Sequence, residues 1–219
     1  MPVVDLSFRL LGKSIPADHG YVLYGALSGI VRAIHNSDAE TWKGLGIHPI
    51  NGQPSGDRRL TLTPSSRLTM RVDSDLIKDL LEVAGKGLTL GDDKVRVSVP
   101  TVYPLRPVVR LRSRLVTFKH RMEPEPFLAK AQEELSKLNI KVTPGLIRRS
   151  GARSLEGRTE PAADRSPFIR RTLRIHDKEV VGFAMEVSGL SADESLRLQE
   201  TGLGGRRRFG CGIFMPVRE

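Results

Sequence analysis

Residues 3–35 read VVDLSFRLLGKSIPADHGYVLYGALSGIVRAIH. The first nine alternate apolar and polar side chains imperfectly, the pattern of a half-buried strand. From about Asp18 to His35, Leu23, Ala26, Leu27, Ile30, Val31 and Ile34 recur at helical spacing, and Asp18 stands where it would cap the helix. A strand followed by a helix opens a β-α-β-β-α-β unit, and the next residues complete it. Short strands are expected at 45–50, 58–63 and 67–72. Asp73 and Ser74 are placed to cap a second helix that stops at Gly85. Strands at 86–90 and 94–103 close the unit with one hairpin to spare.

The second half repeats this order. VVRLRSRLVTF at 108–118 alternates as a half-buried strand does. Glu125 to Leu138 reads as a helix with Phe127, Leu128, Ala131, Leu135 and Leu138 on one face. A strand is expected at about 139–147, then a loop rich in Arg, Ser, Gly and Pro over 148–166. Strands at 168–175 and 179–188 flank a turn at 176–178. Ser191 with Glu194 has the spacing of a capping box, opening a last helix that ends at Gly202. A final strand is expected at 209–217. Two such units predict an α+β chain of two tandem ferredoxin-like (βαββαβ, RRM-like) domains, 1–105 and 106–219, joined near Pro104–Pro107.

Charge is distributed unevenly over the 219 residues. The chain carries 35 Lys and Arg against 25 Asp and Glu, a net +10. Residues 1–100 hold 12 basic and 11 acidic side chains, while 101–219 hold 23 and 14. The excess therefore lies in the second half, and most of it is arginine, whose planar fork matches phosphate oxygens. That bias points to a polyanion. Arg148, Arg149, Arg153, Arg158 and Arg165 fall in or beside the 148–166 loop, with Arg170, Arg171 and Arg174 on the next strand. Arg110, Arg112 and Arg114 share one face of their strand. Aromatic residues are only 5% and no RNP-type aromatic run occurs, which disfavours an ordinary RRM and favours contact through phosphates and shape. No apolar run approaches the ~18 residues of a membrane span, and the first residues lack the features of a signal peptide. The single cysteine, Cys211, provides neither a disulfide framework nor a cysteine-based zinc site, so a reducing cytoplasmic setting is expected.

The most specific segment is GLGGRRRFGCGIF at 202–214. It is neither a P-loop nor a dinucleotide fingerprint, because its glycines follow a helix and lead into a strand. Gly204, Gly205, Gly210 and Gly212 are expected to bring backbone N–H groups close to phosphate as an anion nest, with Arg206, Arg207 and Arg208 adding charge. This segment resembles the C-terminal glycine-rich loop of the CRISPR repeat-processing endoribonucleases, the sixth Cas protein family. IPADHGYVLYG at 15–25, GIHPI at 46–50 and KEVVGF at 178–183 resemble that family too, most closely its Myxan-subtype branch. The resemblance spans almost the whole chain. It implies tandem ferredoxin-like domains that cut the repeat RNA of a CRISPR transcript, with subunits of a CRISPR effector complex as further partners and no metal or other cofactor.

The resemblance also implies a metal-independent reaction in which the ribose 2′-OH attacks the adjacent phosphate, leaving a 2′,3′-cyclic phosphate and a 5′-OH. Such chemistry needs a base, an acid and cations about the phosphate. Histidine suits the first two roles because it titrates near neutrality. His48 is the first candidate, just beyond the first helix, where family members place their catalytic histidine. His35, at the end of that helix, is second, although the helix C-terminus alone would favour a histidine there. His19, at the helix start, is third, with capping or domain contact as its alternative role. Tyr21 and Tyr24 share a helix face, and Tyr24 is the candidate to position the 2′-OH, with core packing the expected role of at least one of the pair. Lys13 and Lys43 are further candidates beside the phosphate. His120 lies in a basic stretch facing RNA, and His176 is expected to be plain surface in a turn. The carboxylate pairs Asp92–Asp93 and Asp73/Asp75 read as a turn and a helix start rather than as metal ligands, which two-metal catalysis would need in greater number. The alternative to an enzyme is a non-catalytic RNA-binding subunit of a CRISPR ribonucleoprotein.

Overall fold

The computed structural model describes residues 2–35, 40–149 and 166–217. The chain opens with β1 (Val3–Leu11), β2 (Ser14–Pro16) and α1 (Gly20–Ile30). It continues through β3 (Gly46–Ile47), β4 (Gln53–Pro54), β5 (Arg59–Thr61) and β6 (Arg67–Asp73). The short α2 (Ile77–Leu80), β7 (Gly87–Leu90) and β8 (Asp93–Pro104) follow. The main sheet has the order β3-β6-β1-β8-β7. Without β7 this is the ferredoxin arrangement, with the first strand between the third and the last. β7 is the extra hairpin arm, and β2, β5 and β4 form a small separate sheet beside α1 that the sequence reading did not anticipate as a unit.

β1 is the central strand. Leu6 stands opposite Met70 of β6 and Val102 of β8, both pairings antiparallel. Val4, Leu6, Phe8 and Leu10 point to the buried face, where Leu6, Phe8 and Leu10 join one core with Leu23 and Leu27 of α1, Ile34, Trp42, Leu80 and Val83. Each such side chain withdrawn from water contributes roughly 1.5–3 kcal/mol.

The second half holds β9 (Arg110–Val116), α3 (Pro124–Lys137), β10 (Pro144–Leu146), β11 (Arg170–Ile175), β12 (Lys178–Ser188), α4 (Ala192–Thr201) and β13 (Met215–Pro216). Its sheet runs β10-β12-β9-β13, the same order again, with β11 pairing with the first part of β12. Phe127, Ala131 and Leu135 of α3 pack with Phe183, Met185, Val187, Leu198 and Phe214 in a second core. The chain is thus α+β, with two tandem ferredoxin-like domains.

Several boundaries differ from expectation. The helix expected over 18–35 stops at Ile30, and Arg32–His35 forms a 3-10 turn. Gly25, Gly29 and the β-branched Ile30 and Val31 weaken the helix, and the break lets Val31 and Ile34 both reach the core. Asp18 does not cap it. His19 holds the N-cap position without a side-chain cap bond, and Asp18 Oδ2 accepts from the Arg174 N–H instead. The 73–85 helix is reduced to four α-helical residues between 3-10 turns, and Asp73 makes no cap bond. The strand expected at 139–147 is only Pro144–Leu146. The final strand is only Met215–Pro216, because Arg206, Gly210 and Gly212 are left-handed, at φ 68°, 87° and 67°, and curl the chain before it. The Ser191–Glu194 capping box is present in full.

Candidate functional site

The second domain grips α1 from end to end. At its start, the Arg174 N–H donates to Asp18 Oδ2 at 2.8 Å. One turn on, the Tyr21 hydroxyl lies 3.0 Å from His176 Nε2, with ring centroids 4.7 Å apart. His176, expected to be plain surface, is therefore exposed but engaged. Tyr24 meets Phe209 of the glycine-rich segment edge-on, at 5.1 Å between centroids. Beyond the helix, Arg208 Nη1 donates to Ile34 O at 3.4 Å and Nη2 to Trp42 O at 3.0 Å. The Tyr24 hydroxyl also points to Ile34 O, at 3.5 Å. Tyr24 is half-buried against the first core, so its ring packs while its hydroxyl supports the turn.

The three candidate histidines have three different settings. His35 closes the 3-10 turn Arg32–His35 and its side chain is exposed. His19 is 2% exposed. Its Nδ1 lies 2.9 Å from Pro16 O, and the Ile50 N–H donates to its Nε2 at 2.9 Å. Nδ1 must therefore carry the proton, and both ring nitrogens are committed to carbonyl and amide partners. Burial, the largest influence, pushes its pKa down. His48 is 5% exposed, its backbone N–H donating to Thr69 O at 2.9 Å. Its Nδ1 lies 3.1 Å from Met215 Sδ, and Nε2 lies 3.3 Å from Asp5 Oδ1, at ion-pair distance but outside hydrogen-bond geometry. Burial and the nearby Arg71 and Arg207 charges depress its pKa, with Asp5 opposing them.

His48 belongs to a buried charged cluster that sequence reasoning missed. Arg71 is fully buried and grips Asp5 with both arms of its fork, each at 2.8 Å. Its remaining nitrogen, Nη1, donates to Phe214 O at 2.7 Å and Gln199 O at 3.0 Å, tying the first sheet to the second domain. Burial pushes the Asp5 carboxyl up, but His48 and Arg71 together outweigh it and hold it below the usual carboxylate range. Asp5 and Arg71 are register partners on β1 and β6. That opposite-charge pair becomes a signal only once the pairing of the two strands is known.

Many of the backbone N–H groups that the sequence places in an anion nest are turned onto the chain itself. The amides of Gly202, Leu203, Gly205, Phe209, Gly210, Cys211 and Gly212 all donate to carbonyls of the chain itself. Gly202, Gly204, Gly210 and Gly212 permit close packing, whereas Gly205 has open space around it. A Cβ on Gly212 would lie 2.2 Å from Leu203 O, and one on Gly204 2.5 Å from Thr117 O. The three arginines also part company. Arg206 is exposed. Arg207 turns inward and donates to Thr201 O at 2.7 Å, while burial and repulsion from Arg71 push its pKa down to about 10. Arg208 makes the clasp described above. Cys211 is buried, which pushes its thiol up to about 12 and leaves it a poor nucleophile.

A cleft between the domains collects four arginines. Arg58, Arg114, Arg170 and Arg171 line it together with His19, His48 and apolar side chains that include Leu23, Leu173 and Phe209. Asp18 is the one carboxylate in its lining. Burial and the neighbouring Arg171 push the Arg114 pKa down, the sign of cations crowded together. Arg174 lies in an adjoining depression with Arg58, Arg59, Tyr21 and His176. Arg112 pairs with Glu186 at 2.8 Å. Arg148 and Arg149 are exposed, Arg148 resting 5.8 Å over the Phe168 ring beside a shallow groove separate from the cleft. Arg58 was missed from sequence because no pattern in the first half marked it. Arg153, Arg158 and Arg165 lie outside the described residues. Among the described residues, no three His, Cys, Asp or Glu side chains gather as metal ligands, and no helix is long and apolar enough to cross a membrane.

Comparison with known proteins bears on this arrangement. The family described as Cas6 Crispr matches residues 4–219. The CRISPR-associated endonuclease Cas6 of Myxococcus xanthus (strain DK1622) is 35% identical over 216 residues, covering 99% of this chain and 82% of that protein. A solved structure of a Cas6-related gene product from Pyrococcus furiosus superposes with a TM-score of 0.67 at 15% identity, covering 99% of each chain. A structure described as a RAMP protein binding different RNA substrates superposes at 0.67 with 12% identity, covering 98% of this chain and 100% of that one. With a family match over nearly its full length and a curated relative at this identity, the chain belongs to the Cas6 family of CRISPR-associated proteins.

Proposed function

We propose that the protein is an endoribonuclease that cuts the repeat RNA of a CRISPR transcript without a metal, and that His35 is its acid–base residue. The placement of His35 carries the reading. It is the exposed one of the three candidates, it ends a turn held from both domains, and the arginine-rich segment lies against that turn. His48 and His19 are assigned to the fold because both rings are buried, His19 with both ring nitrogens hydrogen-bonded and His48 with Nδ1 against Met215 Sδ and Nε2 facing Asp5. The endonuclease relative in Myxococcus xanthus supports the activity.

In the proposed reaction the 2′-oxygen bonds to the adjacent phosphorus as the P–O5′ bond breaks. One proton leaves the 2′-OH and one reaches the departing 5′-oxygen. His35 handles one of these transfers. Arg206, exposed to solvent in the same segment as Arg208, supplies charge to the phosphate. Arg58, Arg114, Arg170 and Arg171 hold the RNA backbone in the cleft, with Arg174, Arg148 and Arg149 extending the basic surface.

The test is incubation of a repeat RNA with the protein in excess EDTA, beside the same RNA carrying 2′-deoxyribose at the scissile position. The reading expects one cut per repeat, a 2′,3′-cyclic phosphate end, and no cut in the deoxy substrate. Tight binding without cleavage would replace it with the RNA-binding subunit. Loss of cleavage in EDTA would overturn the metal-free mechanism.

A further inference from the structure

We infer that Arg208 is a positioning residue, one that sets His35 in place from the opposite domain rather than binding RNA. The inference rests on the assignment of His35 above. Arg208 is one of three consecutive arginines in a glycine-rich segment, a setting in which all three read as RNA contacts. Its fork, however, already donates across the domain boundary. Nη1 donates to Ile34 O at 3.4 Å and Nη2 to Trp42 O at 3.0 Å. Ile34 immediately precedes His35, so Arg208 holds the 3-10 turn that ends in the histidine and, at the same time, the 3-10 turn Glu40–Trp42.

The surrounding contacts favour a rigid clasp. Tyr24 points its hydroxyl at the same Ile34 carbonyl, and the residue after Arg208, Phe209, packs edge-on against the Tyr24 ring. Arg208 itself belongs to a 3-10 turn that starts at left-handed Arg206 and ends at left-handed Gly210, with the Gly210 N–H donating to Arg207 O. Its backbone is therefore fixed by its own domain while its side chain reaches into the other. One planar fork donating to two carbonyls is a geometry that lysine, with a single point-like ammonium, does not reproduce. Because Arg208 joins the domains at the turn that bears His35, a change in their relative position is transmitted to the reacting histidine. A histidine displaced by about 1 Å from its reacting atoms loses on the order of 100-fold in rate.

The test compares Arg208→Lys, Arg208→Ala and His35→Ala with the unmodified protein, by single-turnover cleavage at saturating repeat RNA, by Kd for the same RNA, and by thermal midpoint. A positioning role predicts that Arg208→Lys binds RNA as tightly as the unmodified protein yet cleaves it about 10-fold or more slowly at saturation. Arg208→Ala is expected to lose at least as much rate. An RNA-binding role predicts the opposite split, with weaker binding in Arg208→Ala, restored binding in Arg208→Lys, and an unchanged saturated rate in both. That result would overturn the inference, as would full cleavage by Arg208→Lys. His35→Ala separates the two claims. If it cuts normally, the assignment of His35 fails. If it alone is inactive while both Arg208 variants cut at the normal saturated rate, only the positioning role fails. A thermal midpoint below the assay temperature would explain slow cleavage by unfolding, so Tyr24→Phe, which removes only the hydroxyl aimed at Ile34 O, gives a second reading. The inference expects it to slow the saturated rate without weakening binding, and a normal rate counts against the clasp.

Discussion

His19 shows how little of a residue's role its type reveals. Its ring joins Pro16 O to the Ile50 N–H inside the first domain. Replacing it with alanine strands both groups, and the expected loss is about 2–4 kcal/mol of stability, read from denaturant unfolding. RNA cleavage per folded molecule should be unchanged. His19 and His48 also make folding depend on pH. Burial depresses both from their ordinary value of 6.5. Below about that pH the unfolded rings take up protons that the native rings refuse, so the stability they confer is complete above 6.5 and declines as the pH falls. Unfolding midpoints that hold constant from pH 7 down to pH 5 would contradict the neutral, buried assignment. The same pair marks a limit of reading residues from sequence. All three histidines were visible as candidates, but exposure separates them, and exposure depends on what packs around each ring. Arg71 gave no signal at all, because its partners Asp5, Gln199 and Phe214 are distant in sequence and meet it only in the folded chain.

Elements with strong periodicity were the legible ones. α3 ends within a residue of its expected limits, β12 within one of its start, and the capping box of α4 is complete. Local chemistry sets these, and local chemistry is what a sequence displays. The final strand was not legible, because its length is decided by non-local bonds. The Leu203 N–H donates to Gly212 O and Gly212 is left-handed, which ends the regular strand, while the Gly212 N–H still donates to Leu115 O of β9 in the register of β13. The glycines themselves were easy to notice and easy to misread, since the same freedom that builds an anion nest also permits close backbone packing. The two uses differ at single positions. At Gly212 a Cβ would lie 2.2 Å from Leu203 O on a backbone at φ +67°, whereas nothing lies within 4 Å of a Cβ at Gly205. Gly212→Ala is expected to cost about 2–4 kcal/mol in stability, and Gly205→Ala almost nothing by the same unfolding measurement. Equal, small effects at both sites would show that the segment is not packed in this way.

For the whole molecule, the duplicated βαββαβ order was readable from the sequence, and so was the basic second half. The arrangement of the halves was not. The cleft draws Arg58 from the first half to Arg114, Arg170 and Arg171 of the second, and the buried Arg71 fork ties the halves together. Binding through such a cleft is dominated by phosphate contacts. If its four arginines each meet one phosphate of single-stranded RNA, log K should fall with log salt at a slope of about −3, and Arg171→Ala should flatten that slope by roughly 0.7. A salt-independent affinity would contradict this path for the RNA. The central claim is that RNA held between the halves is cut by His35, and the most direct measurement compares single-turnover cleavage and RNA binding for His35→Ala and for the unmodified protein. The account predicts that His35→Ala binds repeat RNA with normal affinity and fails to cut it. A His35→Ala protein that cuts the RNA at the normal rate would contradict the account.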